Sequence, residues 1–372
     1  MKKSLHICFI SPKSYQVFDK NIKATFGGAE VQIAMLAKEF AKKSNIKVSM
    51  MVADYGQKNK TKIKNITFWT CLNWRKWLPN KRHTLLKTFI EIDADVYVKR
   101  ALSLFSLMSA CIMLYYCRHK KKVFVYMIAH DTEVDWRKSL YKIPGTKVLT
   151  NYLFRTSTLI AQNQYQYECL KKQGISATII KSGYPIKTKH EHKKAWVLWV
   201  GRSIWWKHPE YMITIAKRLP QYAFTIICPK ASDQSHEEYL ALQKRFKIAN
   251  VKFIDFVPFE EIDDYFAKAK LFINTSDNEW FPNTFIQARN NATPVISFNV
   301  DPDYILRDTH CWIVCDKNIN TMERAIKRLL ENNTIYEETQ KKCIEYVQHN
   351  HSIIQNSAIL LSLIDEIHSA MH

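Results

Sequence analysis

Residues 196–218 read WVLWVGRSIWWKHPEYMITIAKR. The first five are a continuous apolar run, Gly201 begins a loop, and the last ten have the apolar spacing of an amphipathic helix. Strand–loop–helix units of this kind recur along the whole chain. Near-continuous apolar strands that alternate with helices predict parallel sheets covered by helices on both faces.

The predicted strands fall into two groups. They are Leu5–Ile10, Val48–Ala53, Val96–Val98, Val123–Ile128, Thr158–Ala161, Thr178–Ile180, Trp196–Val200, Phe224–Cys228, Val251–Phe253, Leu271–Asn274, Pro294–Phe298 and Trp312–Val314. The pattern restarts at Trp196 after a polar stretch at residues 187–194. The sequence therefore predicts an α/β fold of two doubly wound domains, residues 1–185 and 186–351, that face a central cleft where ligands bind.

Composition and charge limit the possible functions. Of the 372 residues, 47% are hydrophobic and 24% are charged, which excludes wholesale disorder, and only seven are glycine, which excludes a collagen-like chain. Residues 1–190 contain 34 Lys and Arg against 11 Asp and Glu, a net charge of +23, whereas residues 191–372 carry −2. This asymmetry predicts an anionic partner for the first half.

Cysteine spacing and hydropathy indicate the compartment. The nine cysteines include no C-x-x-C pair, so a reducing cytoplasm is a simpler expectation than a disulfide framework or a zinc site. The uncharged run Ala101–Cys117 is at the short limit of a membrane span. Its serines and the strand that follows it favour a buried helix instead.

Two of the loops that follow strands contain groups suited to phosphate. Gly27 and Gly28 begin a helix, where backbone amides can face an anion. Arg202 and Lys207 follow the strand Trp196–Val200 and suit a diphosphate. The ordinary alternatives are a tight turn in the first loop and solvated surface charge in the second.

A third loop joins a strand to a helix at residues 276–287, SDNEWFPNTFIQ. Glu279 can accept hydrogen bonds from hydroxyl groups, and Gln287 lies on the helix that follows. The alternative is a helix-capping loop in which Glu279 favours the helix dipole.

Together these motifs resemble the retaining glycosyltransferases of family 4 (glycosyl transferases group 1), which have the GT-B fold of two Rossmann-like domains. Residues 27–30 resemble the N-terminal loop of that family, and Gly201-Arg202 with Lys207 resembles its diphosphate-binding pair. Residues 279–297 resemble its E-x7-E donor signature. The order and spacing agree over nearly the whole chain, most strongly from residue 196 to about 300.

The resemblance implies roles for the two domains and for particular residues. The first domain would bind the acceptor, the second would bind a nucleotide-diphosphate sugar, and a C-terminal helix of about 352–372 would pack back on the first. The implied catalytic residues are Glu279, His130, Arg202 and Lys207. The implied donor-binding residues are Gly27, Gly28, Arg202, Lys207, Glu279, Phe281, Pro282, Asn283, Thr284 and Gln287.

The chain departs from the family pattern at three positions in the donor signature, one of which is Ala292 in place of a usual glycine. Gln287 stands where a second carboxylate is usual and can still hydrogen-bond a ribose, and Trp280 replaces a usual glycine beside the sugar. No cofactor or metal is expected, because cations and helix-end amides can stabilise the leaving diphosphate. The pairs Asp93/Asp95 and Asp301/Asp303 are therefore not assigned to a metal.

The basic first half suggests where the acceptor is found. Polybasic segments with interleaved indoles contact anionic membranes. We therefore expect peripheral attachment to the inner face of the cell membrane and a saccharide or lipid-linked saccharide acceptor for cell-surface polysaccharide or lipopolysaccharide synthesis. The residues expected to contact the acceptor or the membrane are Arg100, Trp74, Arg75, Lys76, Trp77, Lys81 and Arg82.

Two other classes of protein are alternatives. One is another two-domain nucleotide-sugar enzyme of the epimerase type, which would interconvert sugars without an acceptor. The other is a basic nucleic-acid-binding protein, which would leave the Glu279 segment unexplained. A nucleic-acid partner is not expected.

The charge asymmetry generates a prediction about membranes. The protein should float with liposomes that contain anionic phosphatidylglycerol at low salt, and raising the salt concentration should release it because counter-ions screen the attraction. Liposomes of neutral phosphatidylcholine serve as the control. A protein that stays at the bottom of the gradient with both kinds of liposome would contradict membrane attachment.

Overall fold

The computed structural model describes residues 4–22, 27–72, 78–135, 143–190, 194–231, 234–279, 281–302 and 312–371. The chain divides into two compact units. The first contains Met1–Gly183 and Ile353–His372, and the second contains Tyr184–Ser352. The first division lies two residues before the domain boundary that the sequence analysis places after residue 185.

An eight-stranded sheet forms the centre of the first unit. Its strands are β1 (Leu5–Ile10), β2 (Ile46–Ala53), β3 (Lys60–Ile63), β4 (Ile66–Leu72), β5 (Val96–Arg100), β6 (Val123–Met127), β7 (Thr158–Ala161) and β8 (Thr178–Ile179). They lie in the order β3-β4-β2-β1-β5-β6-β7-β8. All neighbours pair in parallel except β3, which pairs antiparallel with β4 at the edge. The carboxyl ends of the parallel strands therefore meet at one edge of the sheet.

Helices cover both faces of this sheet. They are α1 (Gly28–Phe40), α2 (Leu78–Ile92), α3 (Leu104–His119), α4 (Thr146–Thr156), α5 (Gln164–Lys171) and a C-terminal helix, α12 (Ile353–Met371). Buried side chains of α1 and α12 share one hydrophobic core, and those of α2 to α5 share the other. The central strands thus bury side chains on both faces, as their near-continuous apolar sequences predict.

The second unit repeats this architecture with a six-stranded parallel sheet. Its strands are β9 (Trp196–Val200), β10 (Phe224–Ile227), β11 (Val251–Ile254), β12 (Ala269–Asn274), β13 (Val295–Ser297) and β14 (Trp312–Val314), in the order β11-β10-β9-β12-β13-β14. Its helices are α6 (Pro209–Arg218), α7 (His236–Arg245), α8 (Ile262–Lys268), α9 (Asn283–Asn290), α10 (Ile319–Glu331) and α11 (Asn333–Asn350). Cores on the two faces contain α6 with α10, and α8 with α9 and α11.

The predicted α/β class with two parallel-sheet domains is confirmed. The β3–β4 hairpin was not predicted, because β3 reads KTKI and its exposed lysines resemble a solvated basic run. The uncharged stretch Ala101–Cys117 forms most of α3, whose Leu107, Leu114 and Cys117 are buried in a core of the first unit. Among the helices of the described ranges, none is long and apolar enough to cross a membrane.

Gly183 lies where the chain leaves the first unit, directly against the start of α12. A Cβ atom at this position would lie 2.8 Å from the Cα atom of Ile353, which is closer than real Cβ contacts allow. The backbone amide of Gly183 donates to Oε1 of Gln32 on α1, at 2.8 Å. The glycine therefore permits close packing of three segments that are distant in sequence.

This close approach predicts that Gly183→Ala destabilises the protein by about 2 kcal/mol, because the added methyl group must push the α12 backbone away. Gly145→Ala is the matched control. Gly145 has φ +79° and open space within 4 Å of the place its new methyl group would take, so only backbone strain of about 1 kcal/mol is expected. Urea unfolding measures both changes. Equal losses would contradict the packing role of Gly183.

Candidate active site

The loop after β9 positions Lys207. The backbone amide of Gly201 donates to the Ile227 carbonyl at 3.0 Å, which extends the pairing of β9 with β10 by one residue. A Cβ atom at Gly201 would meet the Trp199 ring at 2.9 Å and Cδ of Lys207 at 3.0 Å. The glycine thus leaves room for the Lys207 stem to lie back against the end of its own strand.

The loop after β12 brings a carboxylate to this ammonium group. Because β12 pairs with β9, the two loops leave the sheet side by side. The Lys207 Nζ atom donates to Glu279 Oε1 at 2.8 Å, and each side chain is 17% exposed. The same carboxylate oxygen accepts from Ser276 Oγ at 2.6 Å and from Asn274 Nδ2 at 3.1 Å. Three donors therefore hold Glu279.

Backbone and side-chain hydrogen bonds connect the two loops at two further points. The Thr275 hydroxyl donates to the Lys207 carbonyl at 2.6 Å and accepts from the Trp199 indole at 2.8 Å. The Asp277 amide donates to the Trp206 carbonyl at 2.9 Å. The relative positions of the ammonium and the carboxylate are thus fixed before any ligand binds.

His208 forms another bridge between these loops. Its Nε2 atom lies 2.8 Å from Oδ2 of Asp277, and its Nδ1 atom lies 2.8 Å from Oε1 of Glu210. Its ring stacks on Tyr211, with the ring centroids 4.6 Å apart. Burial disfavours the charged ring, but the two carboxylates outweigh burial and raise the pKa of His208.

The surroundings of Glu279 favour its ionised form. Burial raises the pKa of a carboxyl group, yet the Lys207 charge and the hydrogen bonds from Lys207, Ser276 and Asn274 lower the pKa of Glu279 below its usual value. The site thus presents a fixed negative charge paired with a fixed positive charge. An ammonium group has three N–H donors, so Lys207 can bind a phosphate oxygen while it keeps Glu279.

Two more predicted donor residues lie in the loops around this pair. Arg202 is half-buried in the loop after β9, and within the described part of the chain its guanidinium forms no hydrogen bond. Phe281 lies two residues after Glu279 and contacts His351, with their ring centroids 5.1 Å apart. Trp280, which precedes it, lies outside the described residues.

The remaining predicted donor residues of the second unit belong to the start of α9. Pro282 precedes the helix, and Asn283 and Thr284 form its first turn. Gln287 is buried in the next turn. Because α9 follows β12, these residues occupy the same end of the sheet as Glu279.

In the first unit the two glycines have a structural role that the sequence analysis did not anticipate. The Gly27 amide donates to Oε2 of Glu30 at 2.9 Å, so this amide is engaged in capping α1. A Cβ atom at Gly27 would meet that same oxygen at 2.9 Å. Gly27 is thus the N-cap residue of α1, and Gly28 is the first residue of the helix. A role of these residues in donor binding stays a prediction.

His130 follows β6 at the carboxyl end of the first sheet. Its backbone amide donates to Oε1 of Glu133 at 3.0 Å, and the Ala129 amide donates to the same oxygen at 3.1 Å. Burial and the nearby Arg100 charge lower the pKa of His130, so its ring is neutral at physiological pH.

The structure describes only some of the residues that were predicted to contact the acceptor or the membrane. Trp74, Arg75, Lys76 and Trp77 lie outside the described residues. Lys81 and Arg82 lie on α2, and only their backbone is described. Arg100 is the last residue of β5 and is buried.

The sequence pattern did not point to several residues that the structure places around the site. Asn274 and Ser276 hold Glu279, His208 and Asp277 join the loops, and Glu133 holds the segment before His130. A signal was present for the first two, since polar residues directly after a buried strand are expected at the ligand-binding edge of such a sheet. His208 and Glu133 carried no comparable signal.

Comparison with solved structures identifies the fold. Sucrose-phosphate synthase from Thermosynechococcus elongatus superposes with a TM-score of 0.75 and 15% identity, covering 98% of this chain and 100% of that one. A variant of S. aureus TarM, in complex with fondaparinux, α-GlcNAc-glycerol and UDP, superposes with a TM-score of 0.69 and 12% identity, covering 97% and 99%. The fold is thus that of the GT-B glycosyltransferases.

The family follows from the sequence of the second unit. Residues 183–350 match the model of glycosyl transferases group 1, so this unit belongs to that family and the chain is a glycosyltransferase. An uncharacterised 41.2 kDa protein in the cps region of Klebsiella pneumoniae is 26% identical over 259 residues, which cover 62% of this chain and 68% of that protein. The predicted resemblance to group 1 is confirmed, whereas membership of family 4 stays a prediction.

The His208 bridge predicts a pH dependence of stability. Because the folded state raises the pKa of His208, its contribution is complete below the unfolded pKa of about 6.5 and is lost as the pH rises through the folded value. The stability advantage of the wild type over His208→Gln should therefore be larger at pH 6 than at pH 8.5.

Urea unfolding at the two pH values measures this difference. His236→Gln, on the exposed start of α7, is the control. Its free energy of unfolding should differ from that of the wild type by the same amount at both pH values. If the wild type is more stable than His208→Gln by the same amount at both pH values, the bridge does not depend on a charged His208.

Proposed function

We propose that the protein is a retaining, metal-independent glycosyltransferase of family 4 that transfers a sugar from a nucleotide-diphosphate sugar to a saccharide or lipid-linked saccharide. The observation that carries this proposal is the Lys207–Glu279 pair, at 2.8 Å, at the carboxyl ends of neighbouring parallel strands. A cation for phosphate and a carboxylate for sugar hydroxyls are the two groups that an activated sugar requires.

The proposed chemistry assigns each group a step. Arg202 and Lys207 bind the diphosphate and stabilise the negative charge that grows as it leaves. Glu279 accepts hydrogen bonds from the sugar and offsets positive charge that develops at its anomeric carbon. The leaving phosphate oxygen accepts the proton of the attacking hydroxyl, which approaches from the same face and so retains the anomeric configuration. Glu279 is not a covalent nucleophile in this scheme, and Gln287 contacts the ribose.

The proposed acceptor is a saccharide of a cell-surface polysaccharide. The Klebsiella relative, whose name places it in a cps region, supports this choice. UDP and α-GlcNAc-glycerol in the complex of the TarM variant support a nucleotide-sugar donor and a saccharide acceptor. His130 lies at the carboxyl edge of the first sheet and would approach the acceptor hydroxyl as a neutral ring.

We place this reaction at the inner face of the cell membrane. Besides the basic charge of the first half, α3 exposes Met108, Ile112 and Tyr115, which are spaced as one stripe of a helix. The stripe leads to the basic run from Arg118 to Lys122 at the end of the helix. An apolar stripe beside a basic run favours contact with an anionic membrane surface.

A transfer assay tests the proposal. Purified protein is incubated with a panel of UDP- and GDP-sugars and acceptor oligosaccharides in the presence of EDTA, and NMR identifies the anomer of the product. We expect transfer with retention. Glu279→Gln should lower kcat by about 10²- to 10³-fold, because a neutral amide cannot offset the developing charge.

Glu260→Gln, at an exposed position between β11 and α8, is the matched control and should transfer at the wild-type rate. Near-wild-type transfer by Glu279→Gln would overturn the role of the carboxylate. Product of inverted configuration would overturn the proposed mechanism, and complete loss of transfer in EDTA with recovery on adding Mg²⁺ would overturn metal independence.

A further inference from the structure

Two cations that the proposed chemistry does not use lie in the interior of the first unit. Lys99 and Arg100 are the last two residues of β5, a central strand, and they are only 6% and 9% exposed. A buried charge is costly unless an opposite charge or several hydrogen bonds compensate it. The surroundings of Lys99 and Arg100 therefore determine whether their charges are compensated.

Lys99 has no such compensation. Within the described part of the chain its ammonium group makes no hydrogen bond or ion pair, and Nζ is absent from the fully buried atoms that lack a partner, so it keeps some contact with solvent. Burial lowers the pKa of Lys99 to about 8, and the more distant Glu133 and Glu30 offset burial only in part. The ammonium group is thus still mostly charged at pH 7, in a place where charge is unfavourable.

Arg100 is held in position but is only partly satisfied. One Nη atom donates to Oε1 of Gln162, whose amide nitrogen in turn donates to the Ala129 carbonyl at 2.9 Å. The buried Nε atom of Arg100 has no partner among the described residues. The guanidinium is therefore oriented by one contact while donor capacity remains on its other side.

The acidic residues nearby are engaged elsewhere. Glu133 accepts from the Tyr126 hydroxyl and from the amides of Ala129 and His130, and burial raises its pKa to about 7, so it is only half ionised at neutral pH. Glu30 accepts from the Gly27 amide. Across the described ranges, neither carboxylate lies within ion-pair distance of the two cations.

We propose that Lys99 and Arg100 form an oxyanion subsite that binds a carboxylate or phosphate group of the acceptor. The proposal rests on the proposed function, which places the acceptor at the first unit. The side chains of consecutive strand residues start on opposite faces, but both cations lie beside the turn at residues 129–133. Lys99 pairs in register with Tyr126, whose hydroxyl donates to Glu133, and Gln162, which accepts from Arg100, donates to the Ala129 carbonyl. His130, whose pKa responds to both Arg100 and Glu30, lies there too. The acceptor class that fits is an acidic saccharide or a lipid-linked pyrophosphate.

Ligand-induced shifts of Tm locate the subsite without any transfer reaction. The probes are methyl glucuronide against methyl glucoside, then inorganic phosphate and geranyl pyrophosphate, all at one ionic strength. We expect at least one anionic probe at ten times its Kd to raise Tm by about 2 °C, and the neutral glucoside to have no effect. The probe that binds identifies the source of the oxyanion.

Variants connect the effect to these residues. Lys99→Met and Arg100→Gln should weaken binding of the anionic probe at least tenfold. Lys120→Met, the same change on the exposed end of α3, should leave it unchanged. All variants are compared in a Lys207→Met background, so that phosphate bound at the donor pair does not contribute. Since Lys99→Met removes an uncompensated buried charge, it should also leave the Tm of the ligand-free protein equal or higher, which a structural lysine would not do.

Three results would overturn the subsite: no Tm shift of the wild type with any anionic probe, an undiminished shift in both Lys99→Met and Arg100→Gln, or a ligand-free Tm of Lys99→Met several degrees below the wild type. Different results would contradict the proposed function. UDP binding that survives Lys207→Met, or a protein that transfers no sugar, would contradict the donor site and leave the anion measurements intact.

Discussion

The ion pair between Lys207 and Glu279 sets the requirements for the loops around it. A pair that is 83% removed from solvent has lost most of its hydration, so its remaining hydrogen-bonding capacity must be supplied by the protein. Asn274 and Ser276 supply it to the carboxylate. The hydrogen bonds from Thr275 and Asp277 then fix the lysine loop to the glutamate loop. The parallel pairing of β9 and β12 is the precondition, because it brings the two loops out at one edge.

Much of this arrangement could be predicted from the sequence. Continuous apolar strands, the restart at Trp196 and the position of Arg202, Lys207 and Glu279 after strands all follow from local pattern and from the general rule for parallel sheets. That rule places residues at an edge but does not determine which side chains contact one another. The 2.8 Å contact between residues 72 positions apart became visible only when the strands were paired.

The parts that could not be predicted depend on tertiary contacts. β3 has no apolar face of its own, and it is a strand because the edge of β4 offers it a partner. The glycine pair gave no indication that the Gly27 amide donates to the side chain of Glu30, three residues further along. The burial of Lys99 could not be predicted either, because lysine is nearly always exposed in proteins.

The return of α12 to the first unit has a consequence for the order in which the chain folds during synthesis. Ile353, Leu360 and Ile364 complete a core whose other members belong to the first 180 residues. The ribosome releases those residues long before α12 exists, whereas the second unit is one contiguous segment. The part of the protein that is made first therefore acquires its full core last, and a nascent chain must shield an incomplete apolar face until α12 has been synthesised.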